Sequence, residues 1–257
     1  MRTLSIVIPA YNEERRLPLS IVRIGEYLTA RAGSPCDIVV VDDGSTDRTV
    51  EVAEKALARF GDQWKVMRHG TNRGKGAAVR TGMLAARGDL VLFTDADLST
   101  PIEELTKLER AIAAGAKVAI GSRAVDRRTV ERHQPWSREM MGRLFNRVVR
   151  LFAVRGIKDT QCGFKLFTRD AIRPIFERTR IDRFGFDVEV LALAQRLGIP
   201  IAEVPVRWFN DADTRVSLVQ GAKAFLDPVR VRLGMLLRAY DRLGVRSVRG
   251  GVEKSGT

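Results

Sequence analysis

The sequence predicts an α/β fold with a mainly parallel central sheet and helices on both faces. Three observations predict it. Short apolar runs alternate with stretches whose apolar residues recur at helical spacing. Most of those runs stop at a cluster of Asp, Asn or Gly. The chain has 257 residues and is 45% hydrophobic, enough for one sizeable core. Strands and helices in this rhythm build a parallel sheet covered on both sides.

The elements follow in order. Leu4–Ile8 is an apolar strand ended by Pro9. Leu17, Ile21, Ile24 and Leu28 share one face of a helix. Asp37–Val41 is a second strand, closing on Asp42-Asp43-Gly44. Ser45-Thr46-Asp47 supplies capping side chains for a helix over Thr49–Phe60. Trp64–Met67 reads as a third strand, and Gly74-Lys75-Gly76 opens a helix toward Ala86. Leu90–Thr94 is a fourth strand that ends in Asp95-Ala96-Asp97. Thr100-Pro101-Ile102-Glu103 has the form of a capping box with proline in the first turn. Lys117–Gly121 is a fifth strand.

The second half is less regular. Gly142–Val154 predicts an amphipathic helix with Arg143, Arg147 and Arg150 on one face. Gly163–Phe167 and Ile201–Val206 read as strands, with a helix over Asp187–Leu197 between them, Asp187 acting as its cap. Two C-terminal helices are expected, broken at Asp227-Pro228, with Leu218, Val219, Phe225, Leu226, Leu233, Leu236 and Leu237 interleaved with Lys and Arg. The tail Gly250–Thr257 is expected to be disordered.

Charge is unevenly spread. The net charge is +13. Arg123–Lys158 holds 10 basic and 3 acidic side chains, and Arg215–Gly250 holds 8 and 2, which leaves the remainder neutral. A nucleic-acid-binding protein would spread its excess charge along a reading motif, and none is present. Two local anionic partners explain the pattern better. Cys36 and Cys162 have no paired spacing, and the chain opens without a cationic, apolar leader; both features predict a reducing, cytoplasmic setting. No run of about 18 apolar residues occurs, so no spanning helix is expected.

The chemistry-bearing residues gather at strand ends. In open parallel sheets ligands bind beyond the carboxyl ends of the strands. Tyr11-Asn12-Glu13, Asp42-Asp43, Arg73 and Asp95/Asp97 all fall there. Two carboxylates two residues apart after an apolar strand can converge on a hard divalent cation, which is commonly held by one or two carboxylates plus substrate phosphates. The P-loop pattern is missing, and no Gly-x-Gly-x-x-Gly follows the first strand. With only His69 and His133, a histidine-based zinc site or dyad has no support.

Six motifs in order carry a resemblance: Ile8-Pro9-Ala10-Tyr11-Asn12-Glu13-Glu14, Val41-Asp42-Asp43-Gly44-Ser45-Thr46-Asp47, Asn72-Arg73-Gly74-Lys75-Gly76, Thr94-Asp95-Ala96-Asp97, Gly121-Ser122-Arg123 and Asp159-Thr160-Gln161-Cys162-Gly163-Phe164-Lys165-Leu166-Phe167. From Thr3 to about Trp208 the chain resembles family 2 glycosyltransferases of the GT-A fold. Within them it is similar to the dolichyl-phosphate β-glucosyltransferase kind of polyprenyl-phosphate sugar synthase. The resemblance implies a catalytic domain over 1–212. The basic amphipathic helices over 213–249 are expected, from their own charge and apolar residues, to contact a membrane or a second subunit. It implies that Pro9, Ala10, Tyr11 and Glu13 line the base and ribose pocket. Asp42 would read the uracil or ribose, and Asp43 would support that loop. Arg73 and Lys75 would lie near base and diphosphate. Asp95, Ala96 and Asp97 would meet the nucleotide sugar, with Asp95 and Asp97 holding Mg²⁺ or Mn²⁺. Arg123 and Arg138 would meet the acceptor phosphate, and Asp159 would serve as a base or orient an arginine. The implied reaction is inverting transfer of a hexose, glucose from UDP-glucose first and mannose from GDP-mannose second, to a polyprenyl phosphate, with a polysaccharide or small-molecule acceptor as the alternative. The implied place is the cytoplasmic membrane face. The chain departs from the pattern after Trp208, where Phe209–Ser217 replaces a Gly-Ser-Lys element.

Overall fold

The computed structural model describes residues 2–31, 36–61, 63–125, 154–183, 185–209, 227–237 and 239–240. Seven strands form one sheet in the order β3-β2-β1-β4-β6-β5-β7. They are β1 (Leu4–Ala10), β2 (Cys36–Asp42), β3 (Trp64–Arg68), β4 (Leu90–Thr94), β5 (Val118–Ser122), β6 (Phe164–Thr168) and β7 (Ile201–Pro205). Helices are α1 (Leu17–Ala30), α2 (Thr49–Leu57), α3 (Lys75–Ala85), α4 (Leu105–Ala113), α5 (Arg169–Phe176), α6 (Phe186–Arg196) and α7 (Asp227–Leu236).

Strand alternation builds a core on each face. Val7, Val39, Val41, Val91 and Phe93 point to one side, against α3, α5 and α6. Leu4, Ile6, Ile8, Ile38, Val40 and Leu92 point to the other, against α1, α2 and α4. All seven residues of β1 are buried, which accounts for its unbroken apolar sequence. The expected mainly parallel sheet, helix-covered on both faces, is what forms.

One strand runs the other way. β6 lies antiparallel between β4 and β5, with Thr94 opposite Phe164 and Ile120 opposite Lys165. The start of β6 therefore meets the ends of β4 and β5. Three polar turns are thereby gathered at one sheet edge.

Local expectations fare unevenly. Leu17, Ile21 and Ile24 of α1 are buried as their spacing requires. The helix expected over Thr49–Phe60 ends at Leu57 and tightens into a 3₁₀ turn over Ala58–Phe60. The capping box at Thr100–Glu103 does not form. Pro101 is extended, Ile102–Glu104 make a 3₁₀ turn, and no side chain caps α4. Glu104 is buried instead and pairs with Lys107 and Arg207, each at 2.6 Å. Asp187 is not a cap either: it lies inside the first turn of α6, buried against Lys165. The helices expected over Gly142–Val154 and before Asp227, and the tail Gly250–Thr257, lie outside the described residues apart from Val154.

Helix α7 begins at Asp227-Pro228, as the sequence indicates, and buries Val231 near α6. Leu233, Leu236 and Leu237 are exposed, at 51%, 63% and 77%. No helix among the described residues is long and apolar enough to cross a membrane.

The seam between α3 and the sheet depends on Gly82, where a Cβ would lie 2.3 Å from Val7 Cγ1 and 3.0 Å from Val41 Cγ2. Gly82→Leu should therefore lower unfolding free energy by about 1–3 kcal/mol through overpacking. Urea denaturation should show an earlier midpoint with an unchanged slope.

Candidate functional site

The end of β4 is a tight acidic turn. Leu98 N–H donates to the Asp95 carbonyl at 3.1 Å, and Leu98 adopts φ +49°, a left-handed conformation uncommon for an apolar residue. Such strain persists only when the surroundings fix it. Here Ser20 of α1 donates to the Ala96 carbonyl at 2.6 Å, and Ser99 N–H donates to Asp97 Oδ1 at 3.1 Å. Burial, and then the neighbouring Asp95 charge, raise the Asp97 carboxyl above its ordinary range.

Asp95 is approached from both sides. Its N–H donates to the Gly163 carbonyl at 3.2 Å. A Cβ on Gly163 would lie 2.0 Å from Asp95 Oδ2, so only glycine lets β6 start this close. Lys75 Nζ, from the first turn of α3, lies 2.5 Å from Asp95 Oδ1. Burial alone would lower the Lys75 ammonium, but Asp95 and Asp187 outweigh it and raise it.

The ends of β1 and β2 interlock. Asn12, at φ +55°, donates its N–H to Ser45 Oγ at 2.8 Å and accepts from Thr46 N–H at 2.9 Å. Glu13 N–H donates to Thr49 Oγ1 at 2.7 Å, while the Glu13 carboxylate pairs with Arg16 at 2.6 Å. Pro9 and Ala10 are buried in the strand, and Tyr11 is 43% exposed above them. Asp42 is fully buried; it accepts from Ser45 N–H at 3.2 Å and faces Arg68 Nε at 3.4 Å. The structure thus gives Asp42 a bracing contact under the loop. Asp43 accepts from Arg73 N–H at 3.0 Å, Gly74 N–H at 2.7 Å and His69 Nδ1 at 2.7 Å. It holds the Asn72–Gly74 loop, leaving the Arg73 side chain exposed. Gly74 sits at φ +109°, and a Cβ there would lie 2.3 Å from the Asp182 carbonyl.

The third group lies at the end of β5. Arg123 grips Asp159 in a two-point pair, Nε to Oδ2 at 2.7 Å and Nη2 to Oδ1 at 2.9 Å. The guanidinium also stacks 5.4 Å from the Trp208 ring centroid. Glu203 of β7 accepts from Asp159 N–H at 2.8 Å and Lys158 N–H at 3.0 Å. Arg138 lies outside the described residues.

Three features escaped the sequence reading. Lys165 is wholly buried inside β6; its ammonium meets the Cys162 carbonyl at 2.6 Å and Asp187 Oδ1 at 2.5 Å, above the Phe93 ring. A lysine within Phe164–Phe167 was the visible signal, because a buried lysine must be paired. Glu203 gave no signal, and Glu189 was visible only as the acidic neighbour of Asp187 in Phe184–Glu189. Glu189, fully buried, accepts from Arg180 and Ile181 N–H at 2.9 Å each and ties down the loop before α6.

Comparison with known proteins bears on this arrangement. A model described as "Glycosyl transferase family 2" matches residues 5–176. The chain belongs to glycosyl transferase family 2. It is 44% identical to dolichyl-phosphate beta-glucosyltransferase of Drosophila melanogaster, over 90% of this chain and 76% of that one. It is 41% identical to the Mus musculus protein of the same name, over 80% and 67%. Among solved structures it is similar to Mycobacterium tuberculosis glucosyl-3-phosphoglycerate synthase in complex with Mg²⁺ and uridine diphosphate, at TM-score 0.64 and 20% identity, over 90% and 79%. That likeness shows the GT-A fold. As a family 2 protein the chain is a glycosyltransferase.

The acidic turn fits a hard divalent cation. No group of three or more His, Cys, Asp or Glu that could hold a metal occurs among the described residues. Asp95 and Asp97 therefore offer an incomplete shell, the kind that substrate phosphates complete. Asp95 Oδ1 is shielded from solvent and faces the Lys75 ammonium, so a carboxylate oxygen is held in place beside Asp97.

Asp159 anchors the β5 end, and the sign of its effect follows from its environment. Burial alone would raise its carboxyl, but Arg123 outweighs that and holds it below the ordinary range. The stabilisation is complete above the unfolded value of about 3.9 and fades as pH falls through the lower folded value. Asp159→Asn should cost about 1–3 kcal/mol at pH 7. The stability gap between the two proteins, measured by urea titration, should shrink as pH falls below about 4.

Proposed function

We propose that this glycosyltransferase moves glucose from UDP-glucose to the phosphate of a polyprenyl or dolichyl phosphate, inverting the anomeric carbon. The observation that carries the reading is the pairing of opposite charges at one sheet edge. Asp95 and Asp97 end β4, Arg123 ends β5, and only β6 lies between them. Two strand spacings are about 10 Å, room for a sugar between a diphosphate and an acceptor phosphate. The names of the relatives support the glucose and the lipid acceptor.

The residues divide the work. The Tyr11–Glu13 and Arg73 loops, braced by Asp42 and Asp43, receive base and ribose. Lys75 and the Asp95–Asp97 turn receive the diphosphate. A divalent cation held by Asp95 and Asp97 supplies charge neutralisation for the departing diphosphate. Arg123, and Arg138 by the resemblance, receive the acceptor phosphate. A phosphate monoester is largely ionised at neutral pH, with a second pKa of about 6. Such a nucleophile needs alignment more than deprotonation. Asp159 fits that requirement: both its oxygens are committed to Arg123, so it orients the arginine and leaves no free lone pair aimed at a proton.

The enzyme works on a membrane surface. Leu233, Leu236 and Leu237 give α7 an exposed apolar edge, beside the exposed Arg230 and Arg232. Apolar side chains beside basic ones suit a headgroup region rich in anionic lipid. The cytoplasmic face is the leaflet this charge favours.

Purified protein, given labelled UDP-glucose or GDP-mannose with a short polyprenyl phosphate or 3-phosphoglycerate, tests the reading. Label should pass from UDP-glucose into an organic-extractable product. Absence of lipid-linked sugar with either donor overturns it. Asp97→Asn should reduce transfer at least about a hundredfold while stability changes by no more than about 1 kcal/mol, since the amide relieves the repulsion with Asp95. Replacing Leu233, Leu236 and Leu237 together by Gln should weaken sedimentation with phosphatidylglycerol vesicles without moving the melting temperature.

A further inference from the structure

We propose that Lys75 is a resident counter-ion for Asp95, which a divalent cation displaces and a sugar diphosphate then captures. The proposal rests on the donor-site reading above and adds a coupling between metal and nucleotide.

Three observations carry it. The Lys75 ammonium lies 2.5 Å from Asp95 Oδ1, the oxygen that otherwise accepts nothing and is shielded from water. The lysine stands at the first position of α3, where the helix dipole is positive and a cation is unfavourably placed. Its position therefore depends on the carboxylates facing it. Finally, Asp95 is held against the start of β6: its N–H donates to the Gly163 carbonyl at 3.2 Å, and its Oδ2 occupies the space left by the absent Gly163 side chain, where a Cβ would lie 2.0 Å away.

A metal ion arriving at Oδ1 meets the Lys75 ammonium as a like charge 2.5 Å from the same oxygen. A divalent cation that takes this oxygen without a nucleotide therefore pushes Lys75 toward the α3 N-terminus, a poor place for a cation. A cation arriving with a diphosphate gives the ammonium new anionic oxygens. Metal and nucleotide should then bind with positive coupling, and by linkage each strengthens the other equally. The donor-free enzyme holds little metal, and the donor-bound enzyme holds it well.

Free Mn²⁺ measured by electron paramagnetic resonance, with and without UDP, tests this. For the wild type, UDP should tighten Mn²⁺ binding strongly. Lys75→Met should tighten Mn²⁺ binding in the absence of UDP by on the order of tenfold and shrink the UDP effect by a similar factor. Lys75→Gln should behave the same way, and circular dichroism should show both variants folded. Arg87→Met removes the same charge from an exposed side chain just past the far end of α3 and should leave donor-free Mn²⁺ affinity within about twofold, as expected for a remote screened surface charge. Unchanged or weaker Mn²⁺ binding in both Lys75 variants overturns the proposal, as does equal tightening in Arg87→Met. A separate outcome strikes the donor-site reading itself: Asp95→Asn and Asp97→Asn binding Mn²⁺ as the wild type does.

Discussion

Two like charges at the end of one strand set the terms for the rest of this structure. Asp95 and Asp97 sit in partial burial, where repulsion between carboxylates is screened less than in water. The surroundings offset that repulsion without neutralising the pair. Lys75 faces Asp95, Arg16 stands 3.9 Å from Asp97, and Lys165 lies buried behind them with Asp187. The backbone is committed as well, with Leu98 held left-handed and Gly163 pressed against Asp95. A protein that needed only a turn after β4 would have no reason to gather this much charge there. Such an arrangement makes sense when a further cation is to be received.

A second device recurs around the edge. Buried carboxylates accept backbone N–H groups from the loops they support. Asp42 does so for Ser45, Asp43 for Arg73 and Gly74, Glu189 for Arg180 and Ile181, and Glu203 for Lys158 and Asp159. Charge-assisted bonds of this kind are stronger than neutral ones, and they pair backbone N–H groups that these loops would otherwise leave without a partner. The loops are thus held from below, and their upper surfaces remain for ligand. The acidic residues named here therefore fall into two groups, those under the loops and those at the tip of β4. Composition alone does not separate them.

The sheet and the positions of its polar tips were legible in the sequence, because apolar period and turn chemistry are local signals. The motif at Thr94–Asp97 announced itself for the same reason. The direction of β6 was not legible. A short run such as Phe164–Phe167 carries no mark of whether it runs with or against its neighbours, and its placement between β4 and β5 is a long-range fact. The capping box at Thr100–Glu103 misled for the opposite reason. The segment folds instead as a 3₁₀ turn in which Glu103 faces Arg23 and the next residue, Glu104, is buried against Lys107 and Arg207, the latter more than a hundred residues away in sequence. Asp187 misled similarly, since a buried Lys165 claimed a carboxylate that a helix start would otherwise use. Gly74 and Gly163 stood inside recognised motifs, but their steric reason, the Asp182 carbonyl and the Asp95 carboxylate, belongs to tertiary packing.

The uneven charge of the chain acquires a meaning from the fold. The basic segment Arg123–Lys158 begins at the tip of β5, and its far end is brought back there. Arg123 pairs with Asp159, and Glu203 holds Lys158 and Asp159 by their N–H groups. The two described ends of this segment, whose sequence carries ten basic and three acidic side chains, thus meet beside Arg123. The acidic pair lies one intervening strand away. In the reaction proposed above, an acceptor phosphate would be attracted to Arg123 at β5 and repelled by Asp95 and Asp97 at β4, while a nucleotide diphosphate would reach β4 only with cations to carry it. Charge at the two strand ends would then set the acceptor's orientation toward the sugar, which leaves little for a proton-transferring side chain to do.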